Sequence, residues 1–134
     1  MMISTKGRYA LRVMIDLAEE QAAGYTPLKG IVEREDVSQK YLESIMTMLS
    51  KAGLVDAVHG KGGGYRLNRP VEEYTLADIL SVTEGSLAPV ACLHADAEPC
   101  EKADECRTRP VWTKLEEIIE DYLRSVSLKD LSCR

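Results

Sequence analysis

Apolar positions recur at helical spacing along most of this chain, and the places where the spacing breaks divide it into parts. Ala10, Val13, Met14, Leu17 and Ala18 share one face, so residues 4–22 read as an amphipathic helix that ends near Gly24. Thr26 and Pro27 suit an N-cap and first turn, and Leu28, Ile31 and Val32 carry a second, short helix to Arg34. A tight turn over Glu35–Val37 leads to a third helix from Ser38 to Gly53. Leu42, Ile45, Met46 and Leu49 face inward there, with Gln39, Lys40, Glu43, Ser44 and Thr47 outward. Val55–His59 and Tyr65–Leu67 then read as two strands joined by a turn of Gly60, Lys61, Gly62, Gly63 and Gly64.

Two short helices at a tight turn suggest helix-turn-helix, and a hairpin after three helices is the winged-helix order. Thr75 and Asp78 have capping-box spacing and open a helix through Leu76, Ile79, Leu80 and Val82 that stops at Gly85. From Leu87 to Thr108 periodicity lapses, and such a stretch is expected to order only around something it binds. Pro110 opens a long helix whose apolar residues, from Val111 and Trp112 to Leu123 and Val126, span an arc too wide for one contact. That arc predicts packing against its own domain and against a symmetry mate, hence a homodimer. Ser127–Leu131 fits a last short turn. The expected fold is mainly α with a small β-hairpin wing. A winged helix-turn-helix domain would occupy 1–85, a cysteine-containing cofactor or sensor loop 86–109, and a dimerisation helix with its tail 110–134.

A net charge of −5 argues against nucleic acid until it is divided along the chain. Residues 1–70 sum to +2 and residues 71–134 to −7, so a DNA-facing half is compatible with the acidic total. The start mixes Lys6 and Arg8 with polar residues, and no segment is apolar enough to span a bilayer, which leads to the expectation of a cytoplasmic protein without a membrane partner. No nucleophile, base and orienting group fall into a recognisable arrangement, so an enzyme is not expected.

The start of the third helix offers Ser38, Gln39, Lys40, Tyr41, Glu43 and Ser44, side chains able to reach base edges or phosphates. By itself such a face more often only solvates a helix. The glycine-rich turn adds weight, because His59, Lys61 and Arg66 surround residues that let backbone approach a groove closely. A nucleotide loop fails on order, since Lys61 precedes the glycines, and Tyr65 and Leu67 break the dinucleotide pattern.

The stretches STKGRYALRVM at 4–14, VSQKYLESIMTMLSKAGLV at 37–55 and HGKGGGYRL at 59–67, followed by three cysteines and a helix opening PVW, resemble the Rrf2 family of bacterial regulators, most of all its iron–sulfur-sensing branch. The resemblance implies a homodimeric repressor crossed through the C-terminal helix, with recognition helices in major grooves and wings in minor grooves of a double-stranded DNA operator. It also implies DNA-backbone roles for Lys6, Arg8 and Tyr9, and base or groove roles for Ser38, Lys40, Tyr41, Glu43, Ser44, His59, Gly60 and Lys61. Glu43 matches the position tied to site discrimination. His59 stands where Arg is common, which points to a weaker or pH-dependent wing contact.

Cys92, Cys100 and Cys106 give a C-x7-C-x5-C spacing that is neither a common zinc pattern nor a ferredoxin run. Clustered thiols in a reducing compartment favour a metal or redox role over a structural disulfide framework. By the resemblance the group is an iron–sulfur cluster of 2Fe–2S type. Zinc, nitric-oxide sensing and a thiol switch use the same atoms, and a metal-containing protein-interaction module is the alternative of another class. Arg109, three residues after Cys106, stands where the resemblance puts a His ligand, and Arg does not deprotonate to ligate. His94, Glu101, Glu105, Cys133, a backbone group and an external thiol stay open for the fourth position, Cys133 reading first as a free thiol in the tail.

Overall fold

The computed structural model describes residues 3–21, 24–94, 97–98 and 100–132. Cys133 lies outside them. Among the described residues, six helices and one hairpin follow in the order α1 (Thr5–Glu20), α2 (Leu28–Glu35), α3 (Gln39–Lys51), β1 (Val55–Val58), β2 (Gly64–Leu67), α4 (Leu76–Glu84), α5 (Arg109–Ser125) and α6 (Leu128–Ser132). Short 3-10 turns at Val71–Glu73 and Ala91–Leu93 flank α4.

The apolar faces read from the sequence meet in one core. Ala10, Val13 and Met14 of α1, Ile31 of α2, and Leu42, Ile45, Met46 and Leu49 of α3 have no solvent exposure. Burial on this scale, worth roughly 1.5–3 kcal/mol for each large side chain, holds together three helices whose stability comes from packing more than from propensity. Asp16 and Arg34 fix α2 against α1. The guanidinium donates through Nε to Oδ2 at 2.8 Å and through Nη2 to Oδ1 at 2.7 Å, a planar fork matched to a carboxylate buried at the helix contact. Asp36, left-handed at φ 52°, ends α2 and makes the turn into α3.

Two features at the start of α2 differ from the pattern reading. Pro27, not Thr26, is the N-cap, and it offers no side-chain hydrogen bond. Thr26 is instead drawn into the wing: its N–H donates to the Tyr65 carbonyl at 2.7 Å, and the Tyr65 N–H donates back at 2.9 Å. The wing hairpin, paired Val55 to Leu67 through Val58 to Gly64, therefore gains a one-residue third partner that roots it in the α1–α2 connection. Gly64 is required at that crossing, since a Cβ would run into the Thr26 carbonyl.

Tyr74 ties the wing to the second half of the chain. Its buried hydroxyl donates to the Leu54 carbonyl at 2.7 Å and accepts the Asn68 N–H at 3.0 Å, and burial pushes the phenol above its ordinary range. The chain returns here after α5. The Leu128 N–H donates to the Tyr74 carbonyl at 2.8 Å, Leu128 is fully buried in the same core, and α6 packs on α1. The capping box of Thr75 and Asp78 is present as expected, with Asp78 N–H to Thr75 Oγ1 and Thr75 N–H to Asp78 Oδ2 both at 3.1 Å.

Candidate nucleic-acid interface and cysteine segment

Helix α3 begins at Ser38, whose hydroxyl accepts the Tyr41 N–H at 3.1 Å. The cap occupies one Ser38 lone pair and leaves its proton free to donate. Gln39, Lys40, Glu43 and Ser44 are exposed along the following face. Gln39 Nε2 donates to Glu43 Oε1 at 3.1 Å, so the two side chains best suited to reading bases are held beside each other. Tyr41 is half-buried and turned back toward α1, where its ring meets that of Tyr9 edge-on at 5.9 Å and 85°.

This aromatic pair brings the start of α1 alongside α3. Arg12 stacks over the Tyr9 ring at 4.8 Å and pairs with Glu35 at 3.0 Å, a second contact that holds the aromatic. Arg8 is exposed and Lys6 half-exposed in the same first turns. Tyr9 thus lies against α3, with Lys6 and Arg8 beside it in the first turns of α1, and nothing in their spacing alone points to that contact.

The wing forms the other flank. His59, Gly60 and Lys61 are exposed at the hairpin turn. A cleft of about 500 Å³ separates α3 from the wing, with Glu43 and Thr47 on one wall and Val58, His59, Gly60 and Tyr65 on the other. Glu43 and His59, assigned to different elements by sequence, share this space. Thr47, read only as an outward residue, lines it too, one helical turn beyond Glu43. Arg66 has a different duty. It stacks on Tyr25 at 4.5 Å and lies 3.8 Å from Asp56, so its charge is partly spent bracing the wing.

The three cysteines sit between α4 and α5. Cys92 is on the 3-10 turn Ala91–Leu93 and exposed, Cys100 is exposed, and Cys106 is half-exposed immediately before α5. Cys92 and Cys100 line one cavity of about 360 Å³ together with His94 and Glu98. Cys106 lines an adjoining cavity of about 460 Å³ with Asp104 and Lys114. Arg109 and Ala103 border both cavities. Among the described residues no three His, Cys, Asp or Glu side chains already converge as a metal site.

The donor chemistry nonetheless fits a soft, thiolate-bound group. The thiol of Cys106 lies 3.4 Å from the Thr108 hydroxyl, and that hydrogen bond, the backbone N–H groups of Thr108 and Arg109 and the Arg109 charge hold its pKa below the ordinary thiol value. Cys92, Cys100 and Cys106 are the residues that would hold the group. Arg109, by contrast, supplies charge and not a ligand.

Helix α5 presents two apolar stripes. Trp112, Ile119 and Leu123 are half-buried, α5 packing against α4. Val111, Leu115, Ile118 and Tyr122 are 57, 38, 54 and 64% exposed, at spacings that form a second continuous line. Among the described residues no helix is long and apolar enough to cross a membrane.

Comparison with known proteins places this architecture. The Rrf2 family, described as iron-dependent transcriptional regulators, matches residues 3–134. The regulator IscR of Xenorhabdus nematophila is 38% identical over 131 residues, covering 98% of this chain and 79% of that protein. The regulator CymR of Bacillus subtilis is 39% identical over 132 residues, covering 98% of this chain and 90% of its own. The solved structure of CymR, the global cysteine regulator of B. subtilis, superposes with a TM-score of 0.78 at 37% identity, covering 98% of this chain and 96% of that one. The structure of T. potens IscR gives 0.75 at 35%, with coverage of 98% and 85%. These relatives regulate transcription and are not enzymes, and their structures have the same mainly helical, winged architecture. The chain belongs to the Rrf2 family of transcriptional regulators.

Proposed function

We propose that this protein is a homodimeric, cytoplasmic repressor that reads a double-stranded operator through α3 and its wing, and adjusts that binding to iron–sulfur status through Cys92, Cys100 and Cys106. The observation that carries the reading is that Glu43 and Thr47 of α3 share a cleft with His59 and Gly60 of the wing, while Tyr9 at the start of α1 meets Tyr41 of the same helix. Lys6, Arg8 and Tyr9 serve the phosphate backbone, Ser38, Gln39, Lys40, Tyr41, Glu43 and Ser44 the major groove, and His59, Gly60 and Lys61 the minor groove. The exposed stripe Val111, Leu115, Ile118 and Tyr122 is the dimer seam, because a symmetric partner would bury all four side chains at once.

The cysteine segment runs from the end of α4 to the start of α5, between the DNA-reading part and that seam. Half-sites must lie about one helical turn apart, roughly 34 Å, so an altered segment would change how two reading helices meet one operator. A bound cluster supplies thiolate-held iron whose presence reports cellular iron–sulfur supply. A second reading, a thiol-based sensor, is favoured by the exposure of the thiols of Cys92 and Cys100 and by the comparable identity to a cysteine regulator. Zinc and nitric oxide are further signals for the same thiols.

Anaerobic purification with visible absorption and iron, sulfide and zinc analysis tests the reading. Brown colour that disappears on changing Cys92, Cys100 or Cys106 to Ala supports the cluster. Colourless protein that refuses reconstitution transfers the function to thiol or zinc sensing, with the DNA-binding assignment still standing.

A further inference from the structure

Glu84 occupies an unexpected place. It is the last residue of α4, where the exposed carbonyls make a helix end electronegative and a carboxylate is disfavoured. Its carboxylate instead serves another helix. Oε1 accepts both the Ser4 N–H at 3.0 Å and the Ser4 hydroxyl at 2.7 Å. That same hydroxyl, as the N-cap of α1, accepts the Gly7 N–H at 3.0 Å. The first turn of α1 contains no acidic residue, so Glu84 brings from 80 positions away the negative charge that the start of a helix favours.

The packing around this site leaves little room for another arrangement. Gly7 is buried against α4, and a Cβ there would strike the Glu84 carboxylate before anything else, with the Thr83 hydroxyl and Leu80 close behind. On one side stand Lys6, Arg8 and Tyr9. On the other, Gly85 ends α4 and the cysteine segment begins.

We infer that Glu84 is a positioning residue for DNA binding: by clamping Ser4 it sets where Lys6 and Arg8 meet the phosphate backbone, and it links the beginning of the cysteine segment to that meeting point. The inference rests on the assignment of the α1 start to DNA. Without the carboxylate, α1 keeps its Ser4 cap and the core face of Val13, Met14 and Leu17, so the helix remains while its first turn loses its fixed distance from α4. The deficit therefore falls on phosphate binding and not on base preference.

Salt dependence separates this role from simple destabilisation, because the slope of log K against log salt shrinks by about one for every phosphate that the protein stops neutralising. Full-length wild-type, Glu84→Ala, Glu84→Gln, Ser4→Asp and Lys6→Ala/Arg8→Ala proteins would be titrated onto operator-bearing duplex by anisotropy at several salt concentrations, with thermal melting alongside. The Lys6→Ala/Arg8→Ala protein should lose about two units of slope, and Glu84→Ala between about one and two. Glu84→Gln retains an acceptor for Ser4 and should recover most of the slope. Ser4→Asp keeps a competent cap but repels Glu84, so it should behave like Glu84→Ala and serves should that variant fail to fold. Wild-type slope in both Glu84→Ala and Ser4→Asp, beside a reduced slope in Lys6→Ala/Arg8→Ala, overturns the inference alone. Wild-type slope in Lys6→Ala/Arg8→Ala overturns the assignment of α1 to DNA and takes the inference with it.

Discussion

The helices around α3 and the segment that carries the cysteines are built on opposite principles. Around α3, Leu42, Ile45, Met46 and Leu49 are wholly buried, and among the described residues no buried side-chain nitrogen or oxygen lacks a hydrogen-bond partner. Between Gly85 and Arg109 only Ala88 is buried among the described residues, and all three thiols reach the surface. Burial gives the first region one shape of its own. The second has little apolar packing to fix its arrangement, so whatever its side chains bind has correspondingly large influence over it.

The largest expected effect tests that contrast directly. Leu42→Ala should cost about 2–5 kcal/mol in urea unfolding, whereas Leu93→Ala, on the 3-10 turn beside Cys92, should cost under about 1 kcal/mol. Equal losses would mean that the cysteine segment is part of the core in energetic terms. Next comes Tyr74→Phe, which strips the partner from the buried Leu54 carbonyl and should lower stability by about 1–3 kcal/mol in the same assay.

Ser38→Ala removes the cap of α3 and should cost about 1 kcal/mol, while the far end of the helix stays protected in hydrogen exchange. Replacing Cys92, Cys100 and Cys106 together by Ser in metal-free protein should change unfolding by no more than about 0.5 kcal/mol, since none is buried. A large loss there would make the thiols structural. The smallest effect is local. Two hydrogen bonds from Ser127, first its backbone N–H and then its hydroxyl, hold the Asp130 carboxyl below its usual value. A depressed folded pKa means that this contribution is complete above the ordinary Asp range and is lost as pH falls through the lowered value. Amide exchange in α6, corrected for the intrinsic pH dependence of exchange, should therefore quicken on acidification, and this response should be absent in Asp130→Asn.

Much of the architecture is open to pattern reading for an identifiable reason. Helix faces repeat every three or four residues, so α1, α3 and α4 show themselves through local spacing, as do the Thr75–Asp78 box and the glycine-rich turn. Thr26 resembles a cap by its neighbours, yet its real partner, Tyr65, lies 39 positions away in sequence. The cysteine set is legible as a cluster, but its distribution over two adjoining cavities is not, since spacing along a loop carries no direction.

By itself, then, the sequence determined the elements, their order, the buried face of each helix and the residue types available for reading DNA and binding a soft metal. Those properties are local, or nearly so, in the chain. Only the tertiary structure decided that Tyr9 meets Tyr41, that Glu43 and His59 share a cleft, that Leu128 returns to the core beside Tyr74, and that Glu84 braces the cap of a helix 80 residues before it. Each of these joins distant segments through one or two side chains, and such pairings leave no periodic trace because their partners are chosen by how whole helices pack.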